Sequence, residues 1–148
     1  MNEPAKRGLD AWHAIVRHPT EAALDALLAD EVVFHSPIVH TPQRGRALAR
    51  LYLLAAFQVL ASDGPAGDGA AGAPPRRRFR YVREVVGERD AVLEFESEID
   101  GLAINGVDMI CWDEAGRIVD FKVMIRPLKA IQAIHAAMGR MLEAMKRD

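Results

Sequence analysis

The amino-acid sequence predicts an α+β fold: a curved antiparallel sheet that packs on N-terminal helices and is followed by a C-terminal helix. Three observations support this class. Apolar residues recur at helical spacing in the first 61 residues, residues 79–125 alternate between apolar and polar as strands do, and helical spacing returns after Pro127. Because helices and strands are segregated along the chain, we expect the sheet to curl around helices on one side.

The composition is typical of one globular domain spanning residues 1–148. Half of the residues (50%) are hydrophobic and 27% are charged, and a chain of this length can bury a core, or a core with a cavity in it. The net charge of −2 gives no electrostatic reason to expect nucleic acid as a partner. Cys111 is the only cysteine, so a reducing, cytoplasmic location is the default. No apolar run is long enough for a signal peptide or a membrane span, and no membrane partner is expected.

The N-terminal part predicts three helices and one strand. A helix over residues 5–17 carries an apolar stripe, and a short second helix follows the N-cap residue Thr20. Residues 32–36 are rich in β-branched and aromatic side chains until a proline ends the strand. Apolar residues at a period of 3.6 then predict a third helix over residues 46–61, after a loop over residues 38–45.

Residues 62–75 separate this part from the strands. They are almost entirely Gly, Ala, Pro and Asp, and such a composition cannot bury much apolar surface. We expect a flexible loop, which is either a disordered insertion or a mobile lid. Strands over residues 79–86 and 91–99 follow, joined across a turn-forming segment at 87–90.

A second hairpin, over residues 105–125 with its turn at 113–116, contains one misplaced charge. Its second strand alternates sharply, with one face formed by Val119, Phe121, Val123 and Ile125. In its first strand the face that carries Ile110 and Trp112 also carries Asp108. If this face lines an apolar interior, Asp108 is a buried carboxyl group.

A buried Asp108 is the leading candidate for catalysis. Desolvation disfavours the charged form of a carboxyl group, so burial would raise its pKa. A carboxyl group that is neutral near pH 7 can donate a hydrogen bond or a proton to a substrate oxygen. Two alternatives involve no chemistry: the strand is bulged at this point, or Asp108 caps a neighbouring backbone group.

His35 and Ser36 lie side by side at the end of the first strand and face opposite ways in a regular strand. Pro37 permits a local twist, so the pattern leaves open which of the two faces inward. An inward His35 could act as a base, and an outward one needs no chemical role. His35 and His40 lack a carboxylate at a ligand spacing, so we predict no metal site and no cofactor.

Several large side chains could line a cavity or pack as ordinary core. The candidates are Trp12, Phe34, Tyr52, Phe57, Tyr81, Phe95, Ile110, Phe121 and Val123. Apolar residues of the last helix, together with His135, are expected to pack. The opposite strand face carries Cys111, Lys122 and Met124 and is the candidate surface for contact with a partner.

Four segments together give the sequence a family resemblance: residues 29–37, 44–46, 107–109 and 113–119. In these segments the chain resembles the nuclear transport factor 2-like superfamily, and within it the bacterial ketosteroid isomerases and the SnoaL-like polyketide cyclases. The resemblance implies a cone of curved sheet, an apolar pocket that opens at one end, and a homodimer formed through the outer face of the sheet.

The resemblance also assigns roles to particular positions. Asp108 falls on the protonated aspartate of the isomerase oxyanion hole, a carboxylic acid kept neutral by its surroundings. Ser36 falls on the catalytic base and Trp12 on the oxyanion-hole tyrosine, and neither residue can perform that task. Steroid isomerisation is therefore not expected.

The expected function is binding of a small apolar, oxygenated molecule. An enzyme of this kind would use Asp108 as acid, with His35 or Ser36 opposite, for isomerisation, cyclisation or hydration. The alternative is a non-catalytic ligand-binding or dimerisation module.

Overall fold

The structure is a computed structural model and describes residues 1–61 and 79–147. Within these residues the order of elements is α1 (Glu3–Arg17), α2 (Glu21–Leu27), β1 (Leu28–His35), β2 (Gln43–Arg44), α3 (Arg46–Ala56), a π-helical segment (Phe57–Ala61), β3 (Arg80–Val86), β4 (Asp90–Ile99), β5 (Leu102–Trp112), β6 (Ile118–Arg126) and α4 (Leu128–Arg147). The expected loop over residues 62–75 lies outside the described residues.

The first two helices begin at capping residues. The Asn2 side chain accepts a hydrogen bond from the backbone N–H of Ala5 at 3.0 Å, and the predicted cap Thr20 accepts one from Ala23 at 3.1 Å. Each bond satisfies a backbone donor that has no partner inside its helix. The third predicted helix changes form near its end, because α3 stops at Ala56 and continues as the π-helical segment.

The described strands form one curved sheet in the order β2-β1-β6-β5-β4-β3. Strands β3 to β6 pair with their neighbours in antiparallel fashion, as the meander pattern predicts. The sheet is nevertheless mixed and not purely antiparallel, because β1 runs parallel to β6. The short strand β2 lies in the predicted loop and pairs with β1. The α+β cone is confirmed, with these two differences in pairing.

The hairpin of β5 and β6 sets the register of the site. Asp108 pairs with Leu93 on one side and Val123 on the other. The pairing shifts by one residue near the turn, so that Trp112 lies opposite Ile118. This bulge places Ile118 in the core and leaves Val119 partly exposed, which corrects the inward position expected for Val119.

The core lies between the inner face of the sheet and the helices. Ile110 belongs to it, at 1% exposure, and so does Trp112. Helix α4 buries Ala130 and Ile134. Leu128 is on the side of α4 where packing is expected, but 68% of it is exposed. In the described part of the chain no helix is both long enough and apolar enough to cross a membrane.

Candidate functional site

A largely apolar cavity of about 190 Å³ lies inside the fold. Its walls come from the inner face of the sheet and from helices α1, α3 and α4. Eight of the nine side chains proposed as ligand-binding line it: Trp12, Phe34, Tyr52, Phe57, Tyr81, Phe95, Phe121 and Val123. The ninth, Ile110, packs in the core beside Ala91 and Phe121 instead, so its assignment to the cavity is wrong.

Aromatic rings hold the lining side chains against one another. The Trp12 ring packs edge-on against Phe121, with ring centroids 4.9 Å apart. Tyr52 stacks on Phe34 with centroids 5.9 Å apart. Such contacts are worth roughly 0.5–1.5 kcal/mol each beyond the area that they bury. The cavity wall is therefore part of the packed core.

The sequence pattern missed two parts of the wall. Residues 36–39, which follow β1, contribute Ile38 and Val39, and helix α4 contributes His135, Met138 and Leu142. The helical spacing of the α4 residues was visible, but it could not show that the helix covers a cavity. His135 was expected to be a surface or packing residue, and it lines the cavity while remaining exposed.

Asp108 is buried, at 6% exposure, and lines the cavity. Its Oδ2 accepts a hydrogen bond from the Tyr81 hydroxyl at 2.5 Å. The Tyr81 oxygen in turn accepts a hydrogen bond from Trp12 Nε1 at 2.9 Å. Residues from α1, β3 and β5 thus form one hydrogen-bond chain that ends at the carboxyl group.

The direction of this chain follows from the indole at its start. An indole N–H can only donate. The Tyr81 oxygen must therefore accept from Trp12, and its own proton is free to point to Asp108 Oδ2. The other carboxyl oxygen, Oδ1, has no hydrogen-bond partner among the described residues. When Asp108 is protonated, the proton belongs on Oδ1, the oxygen that is available to a ligand.

Burial controls the protonation of both groups. Desolvation raises the pKa of Asp108 to about 7, and the hydrogen bond from Tyr81 lowers that pKa by a smaller amount. Desolvation, followed by repulsion from the Asp108 carboxylate, raises the pKa of Tyr81 well above its ordinary value. Tyr81 therefore stays a neutral donor near pH 7, whereas Asp108 exchanges its proton in that range.

The two candidates at the end of β1 lie on opposite faces. Ser36 lines the cavity, whereas His35 Nε2 lies 3.0 Å from Asp120 Oδ2 on the outer face of the sheet. The parallel register explains this, since Phe34 pairs with the inward Phe121 and the next residue must face outward. The hypothesis of His35 as a base in the cavity does not fit its position.

The arrangement can stabilise negative charge on a ligand oxygen. A neutral carboxyl group in an apolar cavity is a preorganised donor, and such donors act most strongly where water is excluded. The titratable side chains in the described lining are Tyr52, Tyr81, Asp108 and His135. Across residues 1–61 and 79–147, no group of three or more His, Cys, Asp or Glu side chains is arranged to hold a metal ion.

Comparison with known proteins places this chain in a family. No family model matches the sequence, and no match was found among curated proteins. A steroid delta-isomerase from Pseudomonas aeruginosa is similar over 100% of this chain and 98% of its own, with 30% identity and a TM-score of 0.85.

Two further solved structures share the fold. An uncharacterised bacterial protein with a cystatin-like fold from Silicibacter pomeroyi has 29% identity over 90% of this chain and 83% of its own, with a TM-score of 0.74. An NTF2-like protein of unknown function from Mesorhizobium loti has 18% identity over 86% of this chain and 97% of its own, with a TM-score of 0.62. The extent of the match to the isomerase, together with the shared fold, shows that the chain belongs to the nuclear transport factor 2-like superfamily, among its ketosteroid isomerase-like proteins.

Proposed function

We propose that this protein binds a small, largely apolar carbonyl compound and that Asp108 donates a hydrogen bond or a proton to the carbonyl oxygen. The observation that carries the proposal is the Trp12–Tyr81–Asp108 chain, which leaves Oδ1 of a buried carboxyl group for the ligand. The similar protein from Pseudomonas aeruginosa is a steroid delta-isomerase, which supports a carbonyl ligand.

The reaction class that fits is isomerisation, cyclisation or hydration next to a carbonyl group. In each of these, negative charge develops on the carbonyl oxygen, and Asp108 would stabilise it. Proton abstraction also needs a base, and a Ser36 hydroxyl is not a base at neutral pH. Among the described lining residues His135 carries an imidazole, the side chain that most often serves as a general base. Isomerisation of a steroid by an aspartate base is not part of the proposal.

A non-catalytic ligand-binding protein is the second candidate. Two observations favour it: the position of the family's base is occupied by Ser36, and the cavity of about 190 Å³ is smaller than the roughly 300–1,000 Å³ of typical ligand sites. Both candidates require the donor at Asp108. A measurement of ketone binding therefore tests what they share, and a measurement of turnover separates the two.

The test is the pH dependence of ketone binding in the wild type and in Asp108→Asn. Below about pH 7 the wild-type carboxyl group is neutral and can donate, and above that pH it is a carboxylate and cannot. The affinity for a neutral ketone should therefore fall about tenfold as the pH rises through 7, the value of one lost hydrogen bond to the ligand. In Asp108→Asn the amide oxygen still accepts from Tyr81 and the amide nitrogen donates at every pH, so its affinity should not change with pH.

The pH dependence of folding stability is a second test of the Asp108 carboxyl group with the same variant. Because the folded state raises the Asp108 pKa, it holds the proton more tightly than the unfolded chain, and stability falls as the pH rises from about 4 to about 7. The rise in pKa corresponds to at most about 4 kcal/mol. Denaturant unfolding of Asp108→Asn should lack this loss.

The outcomes separate the hypotheses. A wild-type affinity that does not change across neutral pH would contradict the proposal. Turnover of an unsaturated ketone by the wild type, abolished in Asp108→Asn while the ketone still binds, supports acid catalysis. Binding without turnover in both proteins supports the ligand-binding candidate.

A further inference from the structure

The Ser36 hydroxyl can act toward a ligand only as a donor. Its oxygen accepts hydrogen bonds from the backbone N–H of Ile38 at 3.0 Å and of Val39 at 3.3 Å. These two bonds occupy both acceptor positions of the hydroxyl group. The described residues provide no acceptor for the remaining proton, and Ser36 lines the cavity. The turn after β1 therefore fixes a serine oxygen with one unused O–H at the cavity wall.

Ser36 and Asp108 flank the same residue of the sheet. Val123 of β6 pairs with Asp108 of β5, and on its other side His35 pairs with Lys122, which places Ser36 next to Val123. Neighbouring strands lie about 4.8 Å apart, so positions on the two strands that flank β6 are about 10 Å apart, and Ser36 directly follows the last paired residue of β1. A ligand lying over Val123 can reach both side chains.

The other polar groups of the cavity floor are already in use. Trp12 Nε1 donates to Tyr81, and the Tyr81 hydroxyl donates to Asp108. Among the described residues that line the cavity from the sheet and from the turn after β1, Ser36 and Asp108 are thus the two that offer a donor to a ligand. The remaining polar side chains of the described lining, Tyr52 and His135, come from the helices. A matching ligand presents two acceptors to the sheet.

The cavity volume restricts the size of this ligand. About 190 Å³ is below the roughly 300–1,000 Å³ that hold drug-sized molecules. The walls around it are packed aromatic rings, so a larger ligand would have to displace them.

We propose that the ligand is a compact molecule of one or two rings with two acceptor oxygens, one bound by Asp108 and the other by the Ser36 hydroxyl. The proposal rests on the proposed function, because it takes Asp108 as the first donor. It adds Ser36 as the residue that selects among carbonyl compounds. An apolar molecule with a single oxygen leaves the Ser36 proton without a partner in the cavity, and an unpaired polar group disfavours that ligand.

The experiment compares two ligands that differ in one oxygen. A methyl octalone is a bicyclic enone with one carbonyl group, and the matching enedione carries a second carbonyl group on the other ring. Both are titrated at about pH 6, where Asp108 is neutral, and binding is followed by the fluorescence of Trp12, which lines the cavity. We expect the wild type to bind the enedione about fivefold more tightly, the value of one neutral hydrogen bond.

Three variants locate this preference. Ser36→Ala should bind both ligands with equal affinity, because it removes the donor to the second oxygen and also the unpaired hydroxyl that disfavours the octalone. Ser36→Thr should keep the preference. Ser97→Ala is the matched control: Ser97 is on the same sheet face, but its hydroxyl donates to the Leu60 carbonyl at 2.7 Å and is absent from the cavity lining. It should also keep the preference, because losing the bond to the Leu60 carbonyl changes the cavity wall for both ligands alike.

Two results would overturn the inference while leaving the proposed function intact. One is equal affinity of the wild type for octalone and enedione, which needs no variant to fold. A tetracyclic oxo-steroid should overpack the cavity, so we expect it to bind about tenfold more weakly than the enedione. The second contradicting result is therefore an oxo-steroid that binds more tightly than the enedione. The proposed function itself fails if neither bicyclic ketone binds at pH 6. It also fails if the affinity for these ketones does not fall through pH 7 in the wild type.

Discussion

The hydrogen bond from Tyr81 to Asp108 opposes the effect of burial on the carboxyl group. Burial favours the neutral acid, whereas a donated hydrogen bond favours the carboxylate, and the balance leaves the pKa of Asp108 at about 7. Trp12 acts one step further away, because its hydrogen bond lowers the pKa of Tyr81. At the scale of single residues, the pH at which the cavity loses its donor is therefore set mainly by the burial of Asp108 and is lowered by the hydrogen bond from Tyr81.

Tyr81→Phe should raise this pH. Without the hydroxyl group the carboxylate loses the hydrogen bond that favours it, so the pKa of Asp108 rises above its wild-type value. The affinity for a neutral ketone should then stay constant through pH 7 and fall only at higher pH, as measured by ligand titration over a pH series. Stability should fall by about 1–3 kcal/mol, because the Trp12 N–H and Asp108 Oδ2 lose their partner.

Trp12→Phe is the control for this prediction. It removes the donor to Tyr81 but leaves the bond between Tyr81 and Asp108 in place. The pH at which ketone affinity falls should therefore stay close to the wild-type value. A Tyr81→Phe protein whose affinity falls at the wild-type pH would show that the hydrogen bond does not control the carboxyl group.

Strand alternation predicted that Asp108 shares a strand face with Ile110 and Trp112, with a bulge as the alternative. Asp108 lies on that face because β5 is regular along the stretch where it pairs with β4. The partner of Asp108 was not predictable, since Tyr81 is 27 residues away in sequence and sits next to an irregularity in the pairing of β3 with β4. His35 and Ser36 remained ambiguous because their direction depends on the register of β1 against β6, a contact between distant segments.

At the scale of elements, the local sequence pattern predicted the helices and the antiparallel meander. It did not predict which strands β1 pairs with. The position of β1 beside β6 joins residues from the N-terminal and C-terminal parts of the chain, and no local signal specifies a parallel pair of this kind. The same holds for α4. Its apolar spacing predicted packing, but the identity of the surface that it covers, the cavity, depends on the whole sheet.

The π-helical segment Phe57–Ala61 shows how an irregular element is stabilised beside the cavity. A π-helical turn disrupts the regular ladder of backbone hydrogen bonds. The Ser97 hydroxyl of β4 donates to the Leu60 carbonyl at 2.7 Å, which gives this buried oxygen a partner from the sheet. The segment also supplies Phe57, Leu60 and Ala61 to the cavity wall. Through this bond Ser97 of β4 holds in place a segment that forms part of the cavity wall.

Two glycines in different elements should respond oppositely to alanine. In β5 a Cβ on Gly106 would lie 2.5 Å from Phe95 Cζ and 2.6 Å from the Met124 carbonyl oxygen. Gly106→Ala should therefore destabilise the protein by about 1–3 kcal/mol through overpacking. In α4 a Cβ on Gly139 meets nothing within 4 Å, so Gly139→Ala should stabilise the helix by about 1 kcal/mol. Urea unfolding of both variants measures the two changes.

Comparing Gly106→Ala with Gly139→Ala also tests how closely the cavity wall is packed. Phe95 lies over Gly106 and lines the cavity. If Gly106→Ala had wild-type stability, the Phe95 ring would be free to move aside, and the wall would be softer than its contacts imply. The Gly139→Ala variant shows whether an added methyl group alone changes the unfolding curve.

At the scale of the whole molecule, the outer face of the sheet carries apolar side chains that none of the described helices or strands covers. Val92 pairs with Met109, and Val107 pairs with Met124. Met124 is 52% exposed. Charged residues border this strip, including Arg83 and Glu94, whose side chains are 3.0 Å apart. An apolar patch with a polar border is typical of a protein interface.

We propose that this outer face joins two copies of the chain into a homodimer. The strip runs across neighbouring strands, so two copies related by a two-fold axis can place the same residues against each other. A stable interface buries roughly 1,200–2,000 Å² in total. The cavity faces the other side of the sheet, so the dimer would leave ligand binding intact.

Met124→Glu should convert the dimer to a monomer, because it would place two carboxylates in an apolar interface, where an unpaired charge is costly to bury. Size-exclusion chromatography with light scattering, at micromolar concentration, measures this change. Leu128→Glu is the matched control, since Leu128 is also an exposed apolar residue but lies on α4, and it should remain a dimer. A monomeric wild type at micromolar concentration would contradict the proposal, as would a Met124→Glu protein that still dimerises. Ketone affinity should be unchanged in both variants, since neither residue lines the cavity.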